Sequence, residues 1–254
     1  MKIGDIEYPS LKGKVSDAEW EARVNLAAIY RLIPIMGWYD TVMAPASARI
    51  PGEDAYLFNP KGFLFEEITA SSLVKISIEG EKQTDTPFEI SRPGWYPLRA
   101  VHEAAESAVY VLHTHDDWIA ALSARKQKLF PSSQTAAFLI ASGISYHLYD
   151  GVETMEERMP GLKESLGDNH ILIMHNHGAV TAGVLPWHAV GRMESLAKAC
   201  RIQVLASQNR EDLFEIGEDI MVEIKEELRR GPAVDNPWPG LLRKLDRLDP
   251  SYKE

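Results

Sequence analysis

Two four-residue apolar runs, Val109-Tyr110-Val111-Leu112 and Ile171-Leu172-Ile173-Met174, each lead directly into a His-x-His pair. The pairs are His113-Thr114-His115 and His175-Asn176-His177, and they hold half of the chain's 8 histidines. Each run is too short for a helix and is bounded like a buried strand. Side chains two apart on a strand share a face, with backbone positions about 6–7 Å apart. The spacing therefore predicts two strands of one sheet whose ends aim imidazoles at a common point. Neutral imidazole nitrogen is a good ligand for Zn, Fe, Ni or Cu, and such a metal needs more than two protein ligands. One pair alone is most simply a surface feature. Two pairs, each closing an apolar strand, point to a metal site, and Gly178 directly after His177 is read as a turn beside it.

The rest of the composition narrows the class. The 254 residues are 45% hydrophobic and 25% charged, enough for one sizeable core. The formal charge of -10 argues against nucleic acid, which calls for a basic surface. With a single cysteine, Cys200, no intrachain disulfide can form. The first residues, MKIGDIEYPSLKGKVSD, have no apolar segment of a signal peptide, and no run approaches the roughly 20 apolar residues of a membrane span. A cytoplasmic protein with no membrane partner is expected.

Along the chain, Ser16-Asp17-Ala18-Glu19 has the form of a capping box, and the helix after it should end near Pro34. GWYDTVMAPASARI reads as a turn and a short strand. YLFNPKGFLF reads as two short strands around Asn59-Pro60-Lys61-Gly62, Ile68 to Leu73 as a short helix, and VKISIEG as a strand. Residues 83–97 read as a loop of the kind that carries function. Helices are expected at RAVHEAAESA, DWIAALSARKQ and TAAFLIASG, and a strand at ISYHLY. Gly178 and Gly183 should flank AVTA as turn points. A helix with Pro186 in its first turn buries Val190, Met193, Ala197, Cys200 and Val204 at spacings of three and four. LFEIGEDIMVEIKEELRR is a further helix stopped at Gly231-Pro232. The reading is one α/β domain over 1–254, with a core at about 17–230 and a tail at 232–254. His102, His147, His170 and His188 are isolated and read as structural or solvated. Asp116 and Asp117 fit the N-cap of the helix at Trp118 better than a role in orienting the imidazoles.

These motifs, in this order, resemble the class II aldolase/adducin family. The resemblance rests on VLHTH followed by HNHG, on GWYDTVMAPASARI ending in Ser47-Ala48-Arg49, on the Asn-Pro-x-Gly and EITASSLVKISIEG run, and on the helix from Glu194 to Gln203. It covers about residues 17–210, and the end of the chain is similar to tails of bacterial adducin-like members. The resemblance implies a central mixed, mostly antiparallel sheet flanked by helices. It also implies a homotetramer with sites near subunit interfaces, and a divalent metal, Zn or Fe(II), on His113, His115 and His177. His175 falls where the family varies and is a candidate acid/base or extra ligand, or a neighbour of no consequence.

Departures from the family pattern bear on function. Family aldolases carry a proton-moving glutamate nineteen residues before the first metal histidine, and that count lands on Gly94. Glu89 and Glu103 would need shifts of five and nine residues. The Gly-Asn-x-Ser loop that holds a sugar phosphate is replaced by Ala44-Pro45-Ala46-Ser47, where Pro45 has no N–H to donate. Ser47 and Arg49 remain as candidate binders of a substrate carboxylate, or as a polar pair ordering a strand end. Trp95 and Tyr96, with Trp38, are candidate walls of an aromatic-friendly pocket. Three functions follow: a metal-dependent lyase cleaving or decarboxylating a non-phosphorylated oxo or hydroxy acid; an Fe(II)-dependent oxygenase or oxidative decarboxylase of an aromatic 2-oxo or 2-hydroxy acid; and a non-catalytic adducin-like interaction domain. The first is favoured as the family's default chemistry.

Overall fold

Ser16 starts the first long helix, α1 (Asp17–Met36), in a computed structural model that describes residues 1–38, 40–151, 156–206, 213–231 and 236–254. The Ser16 hydroxyl accepts the Glu19 N–H at 3.1 Å, but the expected box is only half formed. The Glu19 carboxylate turns inward to Arg23 and Lys75, at 2.8 Å each. Glu19 and Arg23 are both buried, so each charge removed from water keeps its counter-ion. The helix runs past Pro34 to Met36. Gly37 ends it in the left-handed region, with φ 79, donating its N–H to Ile33 O and Pro34 O.

A short hairpin of β1 (Lys2–Ile3) and β2 (Ile6–Glu7) precedes α1. The main sheet has seven strands: β3 (Ala46–Arg49), β4 (Tyr56–Phe58), β5 (Val74–Ile76), β6 (Tyr110–Thr114), β7 (Ser145–His147), β8 (Ile171–Met174) and β9 (Gly178–Gly183). Their order is β5-β4-β3-β6-β9-β8-β7, and only the β7/β8 pair is parallel. This is the expected mixed, mostly antiparallel sheet. Between and after the strands come α2 (Arg92–Ala104), α3 (Asp117–Ser123), α4 (Gln134–Ser142), α5 (Met159–Leu166), α6 (Pro186–Ala206), α7 (Glu218–Arg230) and α8 (Trp238–Leu248).

Helices cover both faces, which is why β6, β8 and β9 are buried along their whole length. In β8, Ile171 and Ile173 join a core with Leu26 and Ile33 of α1 and Val190 and Leu196 of α6. Leu172 and Met174 point the other way, into a core with Trp95 and Leu98 of α2 and Leu162 of α5. The period of two, read along ILIM, assigns each residue to its layer. No helix of the described residues is long and apolar enough to cross a membrane.

Several local expectations are corrected. Phe63 to Phe65 is not a second strand: Glu67 Oε2 accepts the Leu64 N–H at 2.8 Å and closes Phe65–Glu67 into a 3₁₀ turn. Ile68 to Leu73 is not a helix. Thr69 and Ser72 exchange side-chain bonds with each other's backbone, and the Ala70 and Ser71 N–H groups donate to Tyr252 O and Glu254 O. RPGWYP belongs to α2 rather than to a loop, because Pro93 suits a first helical turn. The helix expected from Leu213 begins only at Glu218. Gly178 and Gly183 are not turns but the two ends of β9. The stretch read as a tail packs on α1: Arg31 Nη1 donates to Asp249 Oδ2 at 2.6 Å, and Tyr252 is fully buried. Pro232, paired with Gly231 in the expected helix stop, lies outside the described residues.

Candidate metal centre

β6 and β9 lie side by side at the centre of the sheet, with His113 opposite Val180 and Thr114 opposite Ala179. His113 is near the end of β6, His115 is one residue beyond it, and His177 is the last residue before β9. The three imidazoles meet there. His115 Nε2 lies 2.9 Å from His113 Nε2 and 2.9 Å from His177 Nε2, and the ring centroids are 4.6–4.9 Å apart. Among the described residues this is the group of histidine, cysteine and carboxylate side chains that could hold a metal ion.

The other ring nitrogens decide what these contacts are. His113 Nδ1 faces Ala179 O at 2.9 Å, and His115 Nδ1 faces Asp40 Oδ2 at 2.7 Å. A carbonyl and a carboxylate can only accept, so each Nδ1 carries the proton and donates it. In neutral rings both Nε2 atoms are then bare lone pairs, pointed at each other across 2.9 Å. That arrangement is repulsive without a cation to share, and it suits metal ligation through Nε2. His113 is held neutral: burial first, then His177 and His115, pushes its pKa well below the ordinary histidine value. The residues therefore fit a divalent metal.

Close approach of two backbones makes the geometry. A Cβ on Gly178 would sit 2.2 Å from Thr114 O. Glycine is needed there for contact between β6 and β9, not for a turn. Thr114, between the two β6-end ligands, points to the opposite layer, where its hydroxyl reaches Met193 Sδ of α6 at 3.2 Å. Asp116 caps α3, accepting the Trp118 and Ile119 N–H groups at 3.0 Å, as its position suggested.

His175 is not brought into the cluster. Residues 175–177 form the turn between β8 and β9, with Asn176 at φ 59, so the two-residue rule of a strand does not hold across them. His175 Nδ1 instead donates to Ser123 O at 2.7 Å, and its ring lies 5.9 Å from that of Tyr146. Ser47 and Arg49 are both engaged with α2. The Ser47 hydroxyl lies 2.8 Å from His102 Nε2, His102 Nδ1 donates to Ala108 O at 2.7 Å, and Arg49 Nη2 donates to His102 O at 2.7 Å. Burial pushes the His102 pKa down to about 3, so its Nε2 accepts the Ser47 proton. Trp95 is fully buried between Tyr56, Phe58 and His102, with Nε1 donating to Ile78 O, and takes part in core packing rather than in an open pocket wall. Tyr96 is half-buried against the same core, and Trp38 is buried in the opposite one. Gly94 sits in the first turn of α2, where a Cβ would meet Ser91 and Phe58.

Asp40 was not singled out by any motif. It lies in the stretch between Gly37 and Pro45, where Thr41 (φ 52) and Ala44 (φ 70) adopt the left-handed backbone that non-glycine residues avoid. Its only sequence signal is position, an acid in the segment that leads into β3. By accepting the His115 proton it fixes that ring's orientation. Asp40→Ala is expected to weaken divalent-metal binding by about 10–100-fold, read by chelator competition. Stability of the metal-free protein should change by less than about 0.5 kcal/mol, because the side chain is half-exposed.

The chain is similar to known proteins. The family model for the Class II Aldolase and Adducin N-terminal domain matches residues 24–204. The chain is 40% identical to a Caulobacter vibrioides protein named "Putative aldolase class 2 protein", with all of both chains covered. It is 35% identical to mouse alpha-adducin over 186 residues, 72% of this chain and 25% of that one. Its fold is similar to the crystal structure of an aldolase II superfamily protein from Pseudomonas syringae, with a TM-score of 0.90, 37% identity, and 97% and 100% of the two chains covered. The chain thus belongs to the class II aldolase and adducin family.

Proposed function

We propose that this protein is a metal-dependent lyase that cleaves or decarboxylates a non-phosphorylated oxo or hydroxy acid. The observation that carries the reading is the convergence of three imidazole Nε2 atoms, two of them with their protons held elsewhere by Ala179 and Asp40. His113, His115 and His177 would hold the ion, Zn or Fe(II), and the ion would supply Lewis acidity toward a carbonyl or carboxylate oxygen. The Ala179 carbonyl keeps His113 in the ligating tautomer and orientation, and Asp40 does the same for His115.

The restriction to non-phosphorylated substrates rests on Ala44 to Ser47. Pro45 has no N–H. The Ala46 N–H donates to the Tyr30 hydroxyl at 2.9 Å, and the Ser47 hydroxyl is taken by His102. A phosphate placed against this segment would find the Ala46 N–H and the Ser47 hydroxyl already engaged. With glycine at 94, no proton-moving carboxylate comes from that position. The assembly proposed from the family resemblance is a homotetramer, read by sedimentation.

Adding Zn or Fe(II) to metal-stripped protein and assaying a panel of 2-oxo and hydroxy acids for cleavage or carbon dioxide release tests the reading. Metal-dependent turnover that is no better on phosphorylated analogues supports it. Oxygen uptake with aromatic 2-oxo acids by the iron form would move the assignment to an oxygenase. Absence of bound metal under every condition would leave the adducin-like interaction domain, the reading favoured by the similarity to alpha-adducin.

A further inference from the structure

At the far end of β9 from the histidine cluster, Gly183 gives way to α6. A Cβ at 183 would lie 2.3 Å from His188 Cβ and 3.0 Å from Arg192 Nη1. Glycine lets the first turns of α6 close onto the strand end, and Arg192 donates to Ala182 O. An arginine fork has five N–H donors, so most of this one remains for another acceptor. Among the described residues no carboxylate pairs with it, and burial alone pulls its pKa down. His188, one turn earlier on the same face, and His170, beside the Ser107 hydroxyl at 2.9 Å, supply no negative charge either. Burial first, then the Arg192 charge, pushes both histidines down.

His188 and Arg192 line a cavity of about 510 Å³ between α4, α6 and α7. Phe138 and Leu139 of α4, Trp187 of α6 and Leu228 of α7 make much of the remaining wall. The Trp187 indole occupies the space a side chain at 191 would need, since a Cβ there would lie 2.5 Å from the ring. Glu227, on the α7 wall, is paired with Arg230 at 3.2 Å and leaves Arg192 uncompensated. The volume is that of a small-molecule site, and a cation in the wall of a mostly apolar slot selects an amphipathic anion. β9 is 6 residues long, which sets its two ends roughly 17 Å apart, so this cavity is separate from the metal centre.

We propose that the cavity binds a hydrophobic monocarboxylate, with its carboxylate on Arg192 and its tail between α4 and α7. Calorimetric titration of the full chain with sodium octanoate, and with 1-octanol as the uncharged control, tests this. Saturable octanoate binding is expected, at least ten-fold tighter than octanol, at least ten-fold weaker in Arg192→Gln, and lost in Ser195→Trp, which fills the slot and keeps the arginine. No saturable binding by the wild type, octanol binding as tightly as octanoate, or equal octanoate affinity in folded Arg192→Gln overturns the proposal. If Arg192→Gln does not fold, Ser195→Trp decides: retained octanoate binding overturns the site and lost binding supports it.

Discussion

Protein carrying His113→Ala together with His115→Ala should come off anaerobic purification without bound metal, while the wild type holds about one ion per chain by elemental mass spectrometry. Only His177 would remain of three imidazoles whose ligand nitrogens now lie within 4.8 Å of one another, and one imidazole does not retain a divalent ion against buffer. The loss should also show in stability. Metal that binds the folded chain alone, at a free concentration of 100 times its Kd, stabilises it by about 2.7 kcal/mol. For a chain of this size that raises Tm by roughly 5–10 °C. Added metal should therefore raise the Tm of the wild type and leave the double variant unmoved. The variant's own metal-free Tm falls somewhat, because Ala179 O loses the His113 proton it accepts in a buried place. A double variant that keeps its metal would place the ion elsewhere and remove the basis of the lyase reading.

Much of this site was legible in the sequence because it is local. VYVL and ILIM are short, apolar and bounded, and each became part of a strand of the central sheet, β6 and β8. The His113/His115 pair follows from strand periodicity alone. The convergence of His177 on them was implied by the family pattern, and the β6/β9 pairing now gives it a physical cause. What did not read correctly is set by contacts far apart in sequence. The role of His175 stayed open because the β8–β9 turn that takes it out of the strand alternation is not announced by its own residues. Ser47 and Arg49 read equally as carboxylate binders or as a polar pair ordering a strand end, because nothing local announces that both engage His102, 55 positions away from Ser47 in the chain. Asp40 was invisible for the same reason: its partner, His115, is 75 positions along the chain. The stretch after residue 232 looked like a tail because its anchors, Arg31 and the 70–71 backbone, lie far upstream. Gly94 is the converse case, a local absence that is plain in sequence and that the first turn of α2 simply accommodates.

Gly178→Ala should damage the site without touching a ligand. The glycine is not in the left-handed region, so the substitution costs no backbone strain of its own. The cost is steric: the new Cβ would stand 2.2 Å from Thr114 O and 3.3 Å from the His115 Cα. Both are backbone atoms of the strand end that carries two of the ligands, and neither can swing aside as a side chain would. Relief requires β6 and β9 to separate at the Thr114–Ala179 pairing. Overpacking of a well-filled site typically costs 1–3 kcal/mol, and a backbone-to-backbone clash belongs at the upper end, about 3 kcal/mol. That lowers the Tm of the metal-free protein by roughly 6–12 °C. Because His177 is the residue before Gly178, the same separation moves its ring away from His113 and His115, and metal affinity should fall by at least about ten-fold, as it does when the orienting partner of a ligand is lost. The discriminating comparison is with Gly183→Ala at the far end of β9, where the new Cβ meets His188 Cβ and the Arg192 guanidinium instead of a strand backbone. Gly183→Ala should lower Tm yet leave metal affinity close to that of the wild type, whereas Gly178→Ala should lower both. Equal metal affinity in Gly178→Ala and the wild type would show that the ligand geometry does not depend on the close approach of these two strands.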